Sequence, residues 1–162
     1  CLAVKAQVFG IKVIAYDPYI KPEAVKDFGV TLVSREELLA QSDFISMHLL
    51  LNEDTRKSIN ADFFKKMKNS AIFVNTARGG LVDEDALIEA LRTGEIAGAA
   101  LDVLTEEGID KDAPLQKFDN VIITPHAAWY SEQAFYTLLT SAAQEVVRAL
   151  HGEPVKNQVN HF

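Results

Sequence analysis

Short apolar runs set apart by longer amphipathic stretches constrain this chain more than any other feature of its sequence. The runs are Lys12–Tyr16, Val30–Val33, Phe44–Met47, Ala71–Asn75, Ala97–Val103 and Val121–Thr124. Most are apolar throughout rather than alternating, the pattern of strands covered on both faces of a parallel sheet. The intervening stretches carry helix punctuation. Asp83 stands at an N-cap position, Val82 and Leu87 have the spacing of a hydrophobic staple, and Gly94 follows Arg92 as a stop. A longer helix is expected from Ser131, with Phe135, Leu138, Leu139, Ala142, Val146 and Leu150 on one stripe, ending at Gly152 before Pro154. Leu2–Phe9 reads as the last two turns of a helix closed by Gly10, and Glu153–Phe162 as a tail. Strand–helix–strand repetition of this kind predicts a doubly wound α/β sheet.

At 162 residues the chain suffices for one domain with a real core, since about 70% of the unfolded surface is buried at this size. The net charge of -7, with no basic block to offset it, argues against nucleic acid or an anionic membrane as partner. The cluster Lys65, Lys66 and Lys68 reads as the wet face of a helix. Cys1 is the only cysteine, so neither a disulfide framework nor a cysteine metal site is expected, and a cytoplasmic setting suits it. No signal peptide and no apolar run of membrane-spanning length is read.

Ligands of an open α/β sheet bind beyond the carboxyl ends of its strands. The residues that follow the apolar runs are therefore the candidates: Asp17, then Thr76-Ala77-Arg78-Gly79-Gly80, then Asp102 with Glu106 and Glu107, then Pro125-His126. Together they suit hydride chemistry on a 2-keto acid. Arg78 offers a planar, permanently charged fork for a carboxylate. The alkoxide formed on reduction needs a proton, and His126 titrates in the right range. A carboxylate behind the imidazole, with Glu107 the candidate, fixes its tautomer and raises its pKa. Asp17 would accept from ribose hydroxyls and repel a 2′-phosphate, favouring NAD over NADP. Each residue alone also has an ordinary reading: Asp17 as a turn before Pro18, Arg78 as a surface arginine, His126 as structural, Trp129 as a core or interface aromatic. His48 is expected to pack or bond locally at a strand end. Placement on one rim is what favours chemistry.

Asn75-Thr76-Ala77-Arg78-Gly79-Gly80-Leu81-Val82-Asp83 resembles the D-isomer-specific 2-hydroxyacid dehydrogenases. Gly98–Val103 and Thr124-Pro125-His126 match further motifs of that family in the same order, and the likeness runs from about Val4 to Asn160. The stretch His126–Ala134 looks most like the C-terminal-binding-protein branch, near the phosphoglycerate-dehydrogenase-like members. The resemblance implies a Rossmann-type fold, NAD as cofactor and a homodimer. It implies Arg78, Glu107 and His126 as the catalytic set, with Arg78 and Trp129 against the substrate. Asp17 would hold the adenosine ribose. Leu49, Leu50, Asn52, Thr55, Thr76 and Ala77 would line the cofactor with Arg78, and Asp102, His126 and Ala128 would complete its site.

Three departures stand out. Gly108 follows Glu107 where the family usually has Pro, which leaves Glu106 as the alternative partner. Leu50 stands where many members have Pro or Gly. No G-x-G-x-x-G occurs among the glycines at 10, 29, 79, 80, 94, 98, 108 and 152. The domain is therefore read as spanning 1–152 without its first strand and glycine-rich loop, with the substrate domain absent. The missing strand would pair with both the Lys12–Tyr16 and Phe44–Met47 strands. The chain alone is thus expected to be poorly stable and to show no useful turnover. Two functions follow: an NAD-dependent dehydrogenase of 2-keto and 2-hydroxy acids, or an NAD(H)-sensing, corepressor-like dimer acting through protein contacts. A phosphate-clamp enzyme of another α/β class is disfavoured by the absence of a P-loop.

Overall fold

The computed structural model describes residues 2–106, 108 and 113–158. It divides into two compact units, Cys1–Pro125 and His126–Phe162.

The first unit holds six strands: β1 (Ile14–Ala15), β2 (Thr31–Leu32), β3 (Phe44–Met47), β4 (Ile72–Asn75), β5 (Gly98–Leu101) and β6 (Val121–Ile123). Every pairing is parallel, in two sheets ordered β1-β2 and β3-β4-β5-β6. Among the described residues β1 and β3 each keep one unpaired edge. All six strands fall within the apolar runs, and all but β3 are shorter than the run that contains them. The trimmed residues still bond across the sheet. Thr31 N donates to Val13 O, Ala97 N to Ala71 O and Thr124 N to Leu101 O.

Four helices belong to this unit: α1 (Leu2–Val8), α2 (Arg35–Gln41), α3 (Ala61–Lys65) and α4 (Glu84–Thr93). Their starts are chemically specified. Ser34 and Glu37 form a reciprocal capping box on α2, with Glu37 N donating to Ser34 Oγ at 3.2 Å and Ser34 N donating to Glu37 Oε2 at 2.9 Å. Asn60 Oδ1 accepts from Asp62 N and Phe63 N at the head of α3. α4 departs from expectation. Asp83 occupies its N-cap position, but its side chain makes no capping bond; it lies 3.9 Å from Lys57 Nζ instead. Val82 and Leu87 are both buried, and Gly94 closes the helix in the left-handed conformation at φ 72°, as its place in the sequence predicts.

The core lies along the four-stranded sheet. Phe63 and Phe64 of α3 meet Phe73 of β4 edge-to-face, with centroids 5.5 to 6.2 Å apart. Phe64 and Phe73 are fully buried, and Leu39, Ile45, Met47, Leu87, Leu91, Ala99 and Leu101 complete the cluster. Of the lysine cluster expected on one helix face, only Lys65 lies within α3; Lys66 is its C-cap and Lys68 follows it, half-buried. Lys66 pairs with Asp62 at 2.8 Å and Lys68 with Asp43 at 2.9 Å.

The second unit contains α5 (Glu132–Leu150), capped by Ser131 Oγ accepting from Ala134 N at 3.0 Å. Its start and stop match the sequence reading; Gly152 follows at φ 70°. None of its side chains is buried. No regular element occurs in the described part of the tail, residues 153–158. No helix among the described residues is long and apolar enough to cross a membrane.

Candidate functional site

Parallel strands put their carboxyl ends on one edge, so the turns after β4 and β5 leave the sheet side by side. The turn after β4 is built by Asn75, a fully buried amide. Its Nδ2 donates to Arg78 O at 2.9 Å and its Oδ1 accepts from Ala77 N at 3.0 Å. One side chain thereby bonds an N–H and a C=O of the turn through Thr76, Ala77 and Arg78. Burial of an amide is tolerated because its donor and acceptor are both used. Thr76 and Arg78 are exposed, and the Arg78 guanidinium donates to Ala77 O at 2.6 Å.

Beyond Arg78 the chain enters a 3-10 turn at Gly79–Leu81. A Cβ on Gly79 would lie 2.0 Å from the carbonyl carbon and oxygen of Leu104 and 2.5 Å from Thr105 N. Glycine here is a packing requirement, since main chain meets main chain. The turn after β4 and the exit of β5 are thus in direct contact.

The loop after β3 faces the same turn. His48, Leu49, Leu50, Ala77 and Arg78 line an open cleft of about 270 Å³. Asn52 and Thr55 fasten this loop internally. Asn52 N donates to Thr55 Oγ1 at 2.8 Å, Thr55 N donates to Asn52 Oδ1 at 2.9 Å, and the Thr55 hydroxyl donates to Leu50 O at 2.6 Å. Lys57 N then donates to Gly80 O and Ile59 N to Leu81 O, strapping loop to turn. Lys57 holds φ 51°, a left-handed conformation costly for a residue with a side chain. His48 is tied to Ser46 Oγ at 3.1 Å, the local strand-end role expected of it.

Asp102, at the end of β5, is 5% exposed. Its Oδ1 accepts from the Thr124 hydroxyl, and its backbone N donates to Asn75 O at 2.9 Å. A buried carboxylate requires such donors. Asp17 follows β1, half-buried, with Oδ1 accepting from Tyr19 N at 2.8 Å across Pro18. That bond is the turn role considered above, and it commits only one of the two carboxylate oxygens. Glu107 lies outside the described residues.

In the second unit His126 sits at φ 51°, in the left-handed region that few side chains adopt. Ala128 and Trp129 are exposed, and Trp129 stacks edge-on against Tyr130 at 5.5 Å, which in turn meets Phe135 at 5.9 Å.

The first unit therefore brings together Leu49, Leu50, Ala77 and Arg78 at one cleft, and Asn52 and Thr55 fasten the loop that carries Leu49 and Leu50. Two contributors carry no signal of their role in the sequence. Asn75 and Thr124 each read in the sequence as a strand end within a motif, with no role of their own. Their roles depend on hydrogen bonds between distant segments, and no local signal reports those. Among the described residues no cluster of His, Cys, Asp or Glu is arranged to hold a metal ion.

A parallel α/β sheet with its polar turns gathered at the strand carboxyl ends has the Rossmann-like architecture, in which ligands bind at that edge. Residues 1–128 match the family model described as D-isomer specific 2-hydroxyacid dehydrogenase, NAD binding domain, and the chain belongs to that family. It is 46% identical over 157 residues to a D-3-phosphoglycerate dehydrogenase of Methanocaldococcus jannaschii, covering 96% of this chain and 30% of the relative. Identity to a D-3-phosphoglycerate dehydrogenase of Archaeoglobus fulgidus is 42% over 159 residues, with 98% and 30% coverage. The chain thus spans about 30% of the length of these relatives. Among solved structures, a D-lactate dehydrogenase from Aquifex aeolicus, complexed with NAD and lactic acid, superimposes with a TM-score of 0.86. It shares 34% identity over 94% of this chain and 50% of that one. A D-lactate dehydrogenase with NAD+ from Lactobacillus jensenii gives 0.87 at 34% identity, over 99% and 52%. NAD is the cofactor of the family domain, and the residues present suit it. The cleft offers an apolar wall at Leu49, Leu50 and Ala77, and Asp17 keeps a carboxylate oxygen for hydroxyl donors.

Proposed function

We propose that this chain supplies the NAD-binding and proton-transfer part of an oxidoreductase that interconverts a 2-keto acid and a D-2-hydroxy acid. The observation that carries the reading is the turn held by Asn75, which sets Arg78 at the cleft formed with Leu49 and Leu50. When bound, NADH supplies the hydride. Arg78 would leave its own Ala77 carbonyl to grip the substrate carboxylate through two parallel N–H donors, orienting the ketone. His126 would donate the proton that the alkoxide requires, and take it back in the oxidative direction. Glu107, with Glu106 as its neighbour, would keep that imidazole protonated and in one tautomer. Asp17 would accept from the adenosine ribose, Leu49 and Leu50 would pack on the cofactor, and Trp129 would contact the substrate. Asp102, held by Thr124, would serve the nicotinamide end. A cytoplasmic homodimer acting on a small keto acid is the proposed setting, and the named relatives act on 3-phosphoglycerate or lactate.

The test is NADH oxidation by the natural full-length protein across a panel of 2-keto acids, with His126→Ala beside it. Turnover that collapses in the variant is expected. Tight NADH binding without turnover on any keto acid would instead favour a corepressor-like sensor.

A further inference from the structure

The loop wall of the cleft is one fastened piece. Leu50 O accepts from the Thr55 hydroxyl at 2.6 Å and Thr55 O accepts from Ser58 N at 3.1 Å, so a displacement at Ser58 is passed on to Leu50. Where this piece ends, two unfavourable features adjoin. Lys57 holds φ 51°, and the Ser58 hydroxyl is buried with no partner among the described residues. Such features persist only where the surroundings over-determine the backbone. Two bonds do so here. Lys57 N donates to Gly80 O at 2.9 Å, on the turn that carries Arg78. Arg35, at the start of α2, donates through Nη2 to Ser58 O at 3.2 Å. Its guanidinium carbon lies over the buried Phe63 ring, 5.5 Å from the centroid, a cation–π contact that holds the fork in place.

We propose that Arg35 and Lys57 are positioning residues for the dinucleotide: Arg35 holds the left-handed turn at Lys57, and that turn sets the Leu49–Leu50 wall against the Arg78 turn before the cofactor arrives. The inference rests on the reading of that cleft as the cofactor's. Neither residue lines the cleft. A wall built in advance spares the cofactor the cost of ordering it, so both residues govern affinity from outside the site. Arginine suits the task because it stacks on an aromatic ring while its fork donates to a carbonyl. Lys57→Gly keeps the N–H for Gly80 and takes the left-handed turn freely, whereas Lys57→Val keeps the N–H and resists the turn. Both remove the side chain that lies 3.9 Å from Asp83, so their comparison isolates the backbone.

The experiment measures NADH Kd by fluorescence titration, and hydrogen exchange at the Ile59 amide, in the natural full-length protein. Wild type, Arg35→Ala, Lys57→Val, Lys57→Gly and the Arg35→Ala/Lys57→Gly double variant are compared, each checked for a cooperative melt. Kd is expected to rise about tenfold in Arg35→Ala and in Lys57→Val, with faster exchange, and to stay within about twofold of wild type in Lys57→Gly. KM for NADH should follow Kd, while kcat at saturating NADH moves much less. Arg35→Ala should cost less affinity in the Lys57→Gly background, because an unstrained turn has less need of its anchor. Equal Kd in Lys57→Val and Lys57→Gly, or the same Arg35→Ala effect in both backgrounds, overturns the proposal. Should Lys57→Val fail to melt cooperatively, the two Arg35→Ala comparisons decide alone. Leu50→Asp tells the two readings apart. If it weakens NADH binding while Arg35→Ala and Lys57→Val do not, only the positioning role fails; if it too leaves Kd unchanged, the cleft is not the cofactor's and both readings fall. A wild type that reduces no keto acid, yet whose Kd follows Arg35 and Lys57 as described, would sink the oxidoreductase reading and support this one.

Discussion

At Gly79 two turns of main chain meet with no room for a methyl group. Its would-be Cβ is 2.0 Å from Leu104 backbone atoms, and backbone cannot rotate away as a side chain can. Gly79→Ala should therefore cost about 3 kcal/mol, at the upper end of ordinary overpacking. It should also displace Arg78. Chemical denaturation of the variant, read together with KM for the keto acid, checks both consequences. Loss of stability with an unchanged KM would separate packing from positioning. Arg78→Lys probes the neighbouring residue differently, since it retains the charge and loses the fork. A KM for the keto acid raised about tenfold or more, with KM for NADH little changed, is the expected outcome. An equal KM for both enzymes would remove Arg78 as the carboxylate clamp. Arg78 was legible in the sequence because its motif is contiguous and follows a recognisable strand. Asn75 and Thr124 were not. Their contribution is a pair of bonds made after folding, Asn75 to the Ala77 and Arg78 backbone and Thr124 to Asp102, and an Asn or Thr at a strand end has many ordinary uses.

The same contrast between local and long-range information governs the elements. Helix ends set by neighbouring residues were readable: Ser131 caps α5, and Gly94 stops α4. Asp83 takes the N-cap position read from the sequence, but its side chain lies near Lys57 rather than capping the helix, because Lys57 comes from a loop that local sequence does not bring near. All strands but β3 proved narrower than their apolar runs, since an apolar run reports burial and continues past the regular ladder. The capping box of α2 gives a sharp prediction. Ser34→Ala should cost about 1 kcal/mol, measured as a lowered urea midpoint. Its other half is sensitive to pH. The Ser34 backbone N–H, with a smaller contribution from its hydroxyl, holds the Glu37 carboxyl below its usual range. Lys66 does the same for Asp62, first by its hydrogen bond and then by its charge. A carboxylate with a depressed folded pKa stabilises the fold above its unfolded pKa, about 4, and that stabilisation fades as pH falls through the folded value. Wild type should therefore lose urea resistance on acidification below about pH 5, and Glu37→Gln should lose less over the same window. Parallel pH curves for the two proteins would deny Glu37 that role.

At the scale of the whole chain, the parallel sheet follows from runs that are apolar throughout, and Phe63, Phe64 and Phe73 pack edge-to-face in its core. What the fold adds is linkage between cofactor and stability. A ligand that binds only the folded state raises stability by about 2.7 kcal/mol at a hundredfold excess over Kd, which for a domain of this size is a rise of about 5 to 10 °C in Tm. NADH should produce a shift of this kind in the natural full-length protein. NADPH should produce far less, because Asp17 at the end of β1 would face the 2′-phosphate with its uncommitted oxygen. Asp17→Ala separates the two contributions. Losing the ribose acceptor should shrink the NADH shift, while losing the repulsion should enlarge the NADPH shift, so the two converge from opposite sides. If wild type responds equally to both nucleotides, Asp17 is only the turn residue that its bond to Tyr19 makes it, and cofactor choice must be set elsewhere.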